Sequence, residues 1–395
     1  MGSQEEVLNN IKEERLLENL QSLVRIQSIN PPGNEGPCSE FIRGLLESNG
    51  IEVELQETLP KRANVLARLS GKGNGAKPRL LLEGHMDVVP VPEGERWICD
   101  PFSGELKDGR LYGRGSADAK GSLAAMLEAL IAIKKAGLEL RDDLILLATF
   151  GEERGHIGVQ EAIKRGLEAD MAVVGEPTSL KVCIADKGVC RIECTALGRA
   201  AHAGRPWLGI NAIYKMAKLV LRLEDFDEAI LRKRGHPLMG NPSLAVTIIN
   251  GGIQRNMVPD TCRIHVDRRI IPGEKLEDVK AEILSIVQEL EAKDPDFKAK
   301  IEFVYDNPAA ETSPKEPIVA ISREAVKAVC GFDPGISGFE ANCEMSDLVG
   351  YAGIPTVVFG PGNLELAHAA NEYVEMDEVL KAARAYAFIA LKACL

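Results

Sequence analysis

The chain has 395 residues, too many for one typical core, so two domains are expected. Apolar residues make up 45% and charged residues 27%, the balance of an ordinary globular protein. The formal net charge of −12 argues against nucleic acid and anionic membrane surfaces as partners, since both require basic patches.

No run approaches the roughly 18 apolar residues of a membrane span. The opening stretch reads as polar helix rather than secretory leader. Nine cysteines are scattered without a CxxC pair, which suits packed thiols in a reduced cytoplasm.

Apolar positions at Leu16, Leu17, Leu20, Leu23 and Val24 predict an amphipathic helix over 5–26. The cluster SINPPGNEGP at 28–37 is a turn, and a second helix at 38–49 stops at Asn49-Gly50. Strands follow at 51–56, 63–69 and 79–84, with GKGNG at 71–75 expected as a hairpin tip. Residues 97–122 are glycine-dense and without period, a long ordered loop of the kind that carries function. This loop delivers Asp118 to the start of a helix at 121–135. The apolar strand at 144–150 runs directly into Gly151-Glu152-Glu153. A helix at 157–166 and a strand at 171–175 ending in Glu176-Pro177-Thr178 complete this part.

Continuously apolar strands alternating with helices predict an α/β fold: a mostly parallel sheet with helices on both faces. Ligands in such sheets bind at the carboxyl ends of strands. His85, Asp87, Glu152, Glu153 and Glu176 all fall at such ends.

From 181 the strands alternate polar and apolar, and the order β-α-β-β-α-β is that of a ferredoxin-like α+β domain. It is expected as an insertion, giving domains of 1–180, 181–306 and 307–395. After it come a helix at 315–330, a strand at 355–360, the loop PGNLELAHAANEY and a last helix at 376–394.

His85 and Asp87 lie two apart, so on extended backbone they project to one side. Either the pair is a metal ligand with the carboxylate that fixes its tautomer, or it is a strand-end histidine satisfied by its neighbour. The rest of the chain decides, by adding His368 and the carboxylates Asp118, Glu152, Glu153 and Glu176. Imidazole and carboxylate without thiolate suit a catalytic site for zinc, with cobalt or manganese as alternatives. Two adjacent cations need a bridging carboxylate, and Asp118 is the candidate. Two divalent ions against Asp118, Glu153 and Glu176 leave one positive charge, which a hydroxide cancels. Glu152 and Glu153, being adjacent, cannot point the same way, so one serves as ligand and one as general base. A solvated turn is the alternative for this pair, but it follows a fully apolar strand.

His85-x-Asp87, Gly113-Arg114-Gly115 with Asp118-Ala119-Lys120-Gly121, Glu152-Glu153, Gly175-Glu176-Pro177-Thr178 and Ala367-His368 occur in this order. Together they resemble the co-catalytic zinc aminoacylase and carboxypeptidase family. That family includes acetylornithine deacetylases, succinyl-diaminopimelate desuccinylases and glutamate carboxypeptidase-like enzymes. The resemblance implies that His85, Asp118 and Glu176 hold one metal and that Asp118, Glu153 and His368 hold the other. It implies that Asp87 orients His85 and that Glu152 is the base for a metal-bridging water. It also implies a cis peptide at Asp118–Ala119.

GRAAHAGRPWLGINA, 198–212, resembles the family's lid segment, whose histidine, here His202, reaches the active site of a partner subunit and helps hold the oxyanion, a catalytic role. Asn256 matches a substrate-contacting asparagine, and Arg269 matches the arginine that grips the substrate carboxylate. His156, His236 and His265 read as ordinary packed or surface histidines. Cys343-Glu344-Met345-Ser346-Asp347 departs from the family's Gly-Gly-Thr-Ser-Asp, a loop expected to shape the substrate pocket, so substrate identity is open. Cys343 reads as a packed thiol.

The expected activity is two-metal hydrolysis of the amide of an N-acyl amino acid, of acetylornithine deacetylase or succinyl-diaminopimelate desuccinylase type, by a homodimer formed through the inserted domain. The alternative is a metallo-carboxypeptidase or dipeptidase acting on short peptides. A non-catalytic binder would have lost Glu152 or a ligand. A phosphoesterase would carry basic clamps beside the metals.

Overall fold

The computed structural model describes residues 2–73, 79–92 and 94–395. They form two compact units. One comprises Met1–Ala185, Glu311–Phe339 and Cys343–Leu395; the other comprises Asp186–Ala310 and Glu340–Asn342. The chain thus leaves the first unit five residues later than expected, and Asn307–Ala310 stay with the second.

The first unit is built on an eight-stranded sheet. Its order is Glu52–Leu59, Arg62–Leu69, Leu144–Thr149, Leu80–His85, Met171–Val174, Thr356–Val358, Cys183–Asp186, Ser337–Phe339. The four strands from Leu144–Thr149 to Thr356–Val358 run parallel. The flanking pairings at Arg62–Leu69 and Cys183–Asp186 are antiparallel. Every residue of Leu80–His85, Leu144–Thr149 and Met171–Val174 is buried. Burial on both faces explains why these strands read as unbroken apolar runs.

The apolar helix Gly121–Ala136 packs on these strands and against the C-terminal helix Met376–Cys394. Its first turn approaches the strand ends very closely. A Cβ on Gly175 would come within 2.8 Å of Met126 and 2.9 Å of Ser122, and one on Gly360 within 2.2 Å of Ser122 Oγ. These two positions have room only for glycine.

Four details differ from expectation. The helix expected over 5–26 is two, Gly2–Asn10 and Glu13–Arg25. Lys12 is extended between them, and its N–H donates to the buried Glu128 carboxylate (2.6 Å), which also pairs with Arg15. Of the expected hairpin tip, residues 74 and 75 lie outside the described residues. The strands on either side of it do not pair, because Leu144–Thr149 lies between them. The loop 97–122 contains a small hairpin, Glu105–Lys107 and Arg110–Tyr112, which pairs with Tyr373–Glu375. The single strand expected after 181 divides at Lys187 into Cys183–Asp186 and Gly188–Leu197.

The second unit has a four-stranded antiparallel sheet, ordered Ser243–Gly251, Thr261–Ile270, Gly188–Leu197, Lys298–Asn307. The helices Ala212–Ala229 and Leu276–Lys293 cover it. Alternation places Cys190, Ile192, Cys194 and Ala196 in the core with Leu219, Ile283 and Phe297. Order and connectivity are those of a ferredoxin-like unit.

Candidate metal centre

Three adjacent parallel strands end at one edge of the large sheet, and each supplies a site residue. His85 is the last residue of its strand, Glu152 and Glu153 open a short turn after Leu144–Thr149, and Glu176 follows Met171–Val174. His85 Nε2 lies 3.0 Å from Asp118 Oδ1 and 3.7 Å from Glu176 Oε1. His85 Nδ1 donates to the main-chain carbonyl of Asp87 at 2.9 Å. This bond fixes the tautomer and leaves Nε2 as the coordinating atom.

The Asp87 carboxylate does different work from that expected. It stands 3.8 Å from the His85 ring. Its oxygens accept from Asn30 Nδ2 (2.8 Å), Glu152 N (3.1 Å) and Glu153 N (3.2 Å). It therefore holds the turn that carries the paired glutamates, while its carbonyl orients the imidazole.

His368 completes a second group. Its Nε2 is 3.1 Å from Glu153 Oε1 and 3.4 Å from Asp118 Oδ2. Asp118 thus faces a different histidine with each oxygen. Donor atoms of His85, Asp118 and Glu176 lie within 4.8 Å of one another, as do those of Asp118, Glu153 and His368. The Asp118–Ala119 peptide is cis.

Two residues passed over in the sequence lock the loops that carry Asp118 and His368. Arg114 and Glu372, both 1% exposed, form a buried ion pair at 2.7 Å. Glu372 Oε1 also accepts from the main-chain N–H groups of Ala117 (3.0 Å) and Asp118 (3.1 Å). Arg114 Nη2 donates to the His368 carbonyl at 3.2 Å. The available signal was their position, Arg114 between two motif glycines and Glu372 four residues past His368. The buried Lys120 adds a further tie, donating to the carbonyls of Leu23 and Ile26 at the end of the helix Glu13–Arg25.

His156, read as ordinary, is also part of this region. It is 3% exposed, with Nε2 3.3 Å from Glu152 Oε1 and Nδ1 2.6 Å from Asp347 Oδ2. The segment Cys343–Asp347 was expected to shape a pocket, yet all five residues are fully buried. Thr149 Oγ1 lies 3.0 Å from Glu344 Oε2 and 2.9 Å from Glu83 Oε1. Burial, then repulsion from Glu83, pushes the Glu344 carboxyl well above its ordinary range. Through Glu344 and Asp347 the segment touches Thr149 and His156.

The electrostatics show a cluster that asks for positive charge. Burial pushes Glu176 well above the ordinary range and Glu153 up to about 7. Hydrogen bonds to Asp118 and Glu153 raise His368 to about 10. Burial opposes a charge on His85, but Asp118 and Glu176 raise its pKa well above the ordinary value. Burial likewise opposes charge on Asp118, yet His368 and His85 hold it below the carboxylate range. Protons on the imidazoles here do what cations would do. A donor set of two imidazoles and three carboxylates, without thiolate, fits zinc, cobalt or manganese.

The catalytic candidate His202 and the substrate-binding candidates Asn256 and Arg269 lie in the second unit. His202 is exposed on the short strand Ala201–His202, paired with Met257–Val258. Ala203 N donates to the Asn256 carbonyl at 2.9 Å, so His202 and Asn256 share one end of the unit. Arg269 stands opposite Ser243, with Nε donating to Asp267 at 2.7 Å. The nine residues from Thr261 to Arg269 are extended strand, whose eight steps span about 26 Å at ~3.3 Å per residue. The fold therefore separates Arg269 from His202 and Asn256 within one chain.

Paired histidine–carboxylate groups sharing one aspartate at the carboxyl ends of parallel strands define a metal-dependent hydrolase. The chain belongs to Peptidase family M20/M25/M40, which matches residues 81–392. It is 31% identical to N-formyl-4-amino-5-aminomethyl-2-methylpyrimidine deformylase of Bacillus subtilis, over 93% of this chain and 92% of that one. It is 32% identical to acetylornithine deacetylase of Myxococcus xanthus, over 87% and 89%. A tripeptidase from Staphylococcus aureus has the same fold, with a TM-score of 0.78, 24% identity, and coverage of 96% and 98%.

Cation binding must displace protons from this centre. A histidine whose pKa is raised favours the protonated, metal-free form below that pKa, so acid competes with the cation and rising pH favours it. Affinity for Mn²⁺ or Co²⁺ is expected to rise about tenfold per pH unit for each proton released, from about pH 6 to 8. Titration calorimetry in buffers of different ionisation enthalpy counts those protons; an affinity independent of pH would contradict the charge assignment.

Proposed function

We propose that the protein hydrolyses the amide bond of an N-acyl amino acid. The observation that carries this reading is the placement of Glu152 directly beside Glu153, at the edge of two ligand groups that share Asp118. The names of two relatives over nearly the whole chain, a deformylase and a deacetylase, describe removal of small acyl groups and support it.

In this reading His85, Asp118 and Glu176 hold one divalent cation, and Asp118, Glu153 and His368 hold a second, with zinc preferred. Bound there, the ions would lower the pKa of a water and stabilise developing negative charge. Glu152 takes the proton from the attacking water and returns it to the departing amine. The Asp87 carboxylate, by fixing two consecutive N–H groups, keeps Glu152 and Glu153 turned to different tasks. Arg269 supplies the guanidinium fork for the substrate carboxylate, its plane set by Asp267.

His202 and Asn256 serve the site of a second copy, which the strand length separating them from Arg269 supports. A homodimer through the second unit agrees with the open edge of Ser243–Gly251, where Ile248 and Ile249 are 50% and 56% exposed. We place the protein in the cytoplasm, a reducing compartment in keeping with its nine free cysteines.

The family's designation as peptidases favours a second reading, release of a C-terminal amino acid from a di- or tripeptide. A panel of acetyl, formyl and succinyl amino acids against dipeptides separates the two. The acyl amino acids are expected to give the higher kcat/KM; preference for dipeptides would move the assignment to a peptidase. Glu152→Gln is expected to keep its full metal content and lose at least about a hundredfold in kcat. Undiminished turnover by the metal-replete variant would remove Glu152 as the base.

A further inference from the structure

A residue that is not among the metal ligands stands beside the Glu152 carboxylate. The turn Glu152–Arg154 is flanked by Gly151 and Gly155, both at positive φ (77° and 103°). A carboxylate on a three-residue turn between two such glycines has no regular element to set its direction. The next residue, His156, adopts a left-handed conformation itself (φ 56°) and starts the helix Ile157–Lys164. That backbone folds the imidazole back over the turn, bringing Nε2 to 3.3 Å from Glu152 Oε1. On its other side the ring is fixed by Asp347, 0% exposed, at 2.6 Å from Nδ1. Asp347 is fixed in turn by Gln160 Nε2, which donates to Oδ1 at 3.0 Å from one turn along the same helix. Asp347 belongs to the helix Met345–Gly350 and stands where the family pattern also has aspartate.

We propose that His156 is a positioning residue for Glu152. Braced by Asp347 and Gln160, the imidazole anchors one carboxylate oxygen of Glu152 and leaves the other for proton transfer. This rests on the assignment of Glu152 as base. A general base contributes only when held within hydrogen-bond reach of the proton it takes, and a displacement of about 1 Å can cost a hundredfold.

The test uses the metal-loaded enzyme and its best acyl amino acid substrate. Asparagine tolerates the left-handed backbone, and its amide stands in for Nδ1; the amide of glutamine stands in for Nε2. His156→Asn is therefore expected to keep the Asp347 bond and lose the anchor, lowering kcat by about tenfold to a hundredfold with KM and metal content unchanged. His156→Gln should recover part of that loss. Asp347→Asn should lower kcat in the wild-type background and cost nothing further in His156→Asn, the signature of two residues acting in one chain. In Glu152→Gln, His156→Asn should leave the residual rate unchanged.

Unaltered kcat in His156→Asn and His156→Gln, or a loss that appears in KM or metal content, would overturn the brace. So would a further loss on adding His156→Asn to Glu152→Gln. These outcomes are distinct from failure of the base assignment, in which Glu152→Gln alone retains turnover. Should His156→Asn fail to fold, the glutamine and Asp347→Asn variants carry the same comparison.

Discussion

The structure depends on one carboxylate facing two imidazoles. Asp118 offers Oδ1 to His85 and Oδ2 to His368, residues separated by most of the chain. Left alone, four buried or partly buried donors and the exposed His368 would repel or demand protons, and the raised Glu153, Glu176, His85 and His368 show that demand. Only a scaffold that over-determines each side chain can hold them within a few ångströms. Much of the first unit serves that end.

Parallel strands bring His85 and Glu176 to one end of the sheet without any special device. The contributions of Asp118 and His368 come from loops and need bracing. The Arg114–Glu372 ion pair, the small three-stranded sheet through Tyr373–Glu375 and the Lys120 ammonium on the helix Glu13–Arg25 provide it. A buried ion pair is costly to assemble and costly to break, so it contributes little net stability but strongly disfavours other loop arrangements. Asp87 works on the same principle at the remaining turn, accepting two consecutive N–H groups.

Much of this is legible in the sequence. Strands buried on both faces leave continuous apolar runs, and LLLEGH and LILLAT end where chemistry-bearing residues begin. The second unit alternates, so its strands and their order can be read as well. What the sequence does not carry is pairing at long range. Arg114 meets Glu372 across 258 residues and His156 meets Asp347 across 191, with no local pattern to announce either. The same limit explains Asp87, whose carboxylate was expected on the histidine two residues away and instead serves N–H groups 65 and 66 residues on. The division at Lys187 is invisible for another reason: the residues on both sides favour strand, and only the three-dimensional fold sends them to different sheets.

The most direct test of the shared aspartate is the metal stoichiometry of single variants, measured by equilibrium dialysis against zinc and elemental analysis of the dialysed protein. Two ions per chain are expected in the wild type, one each in His85→Ala and His368→Ala, and fewer than one in Asp118→Ala. Two ions retained by folded Asp118→Ala, or fewer than two bound by the wild type, would contradict a centre built on that residue.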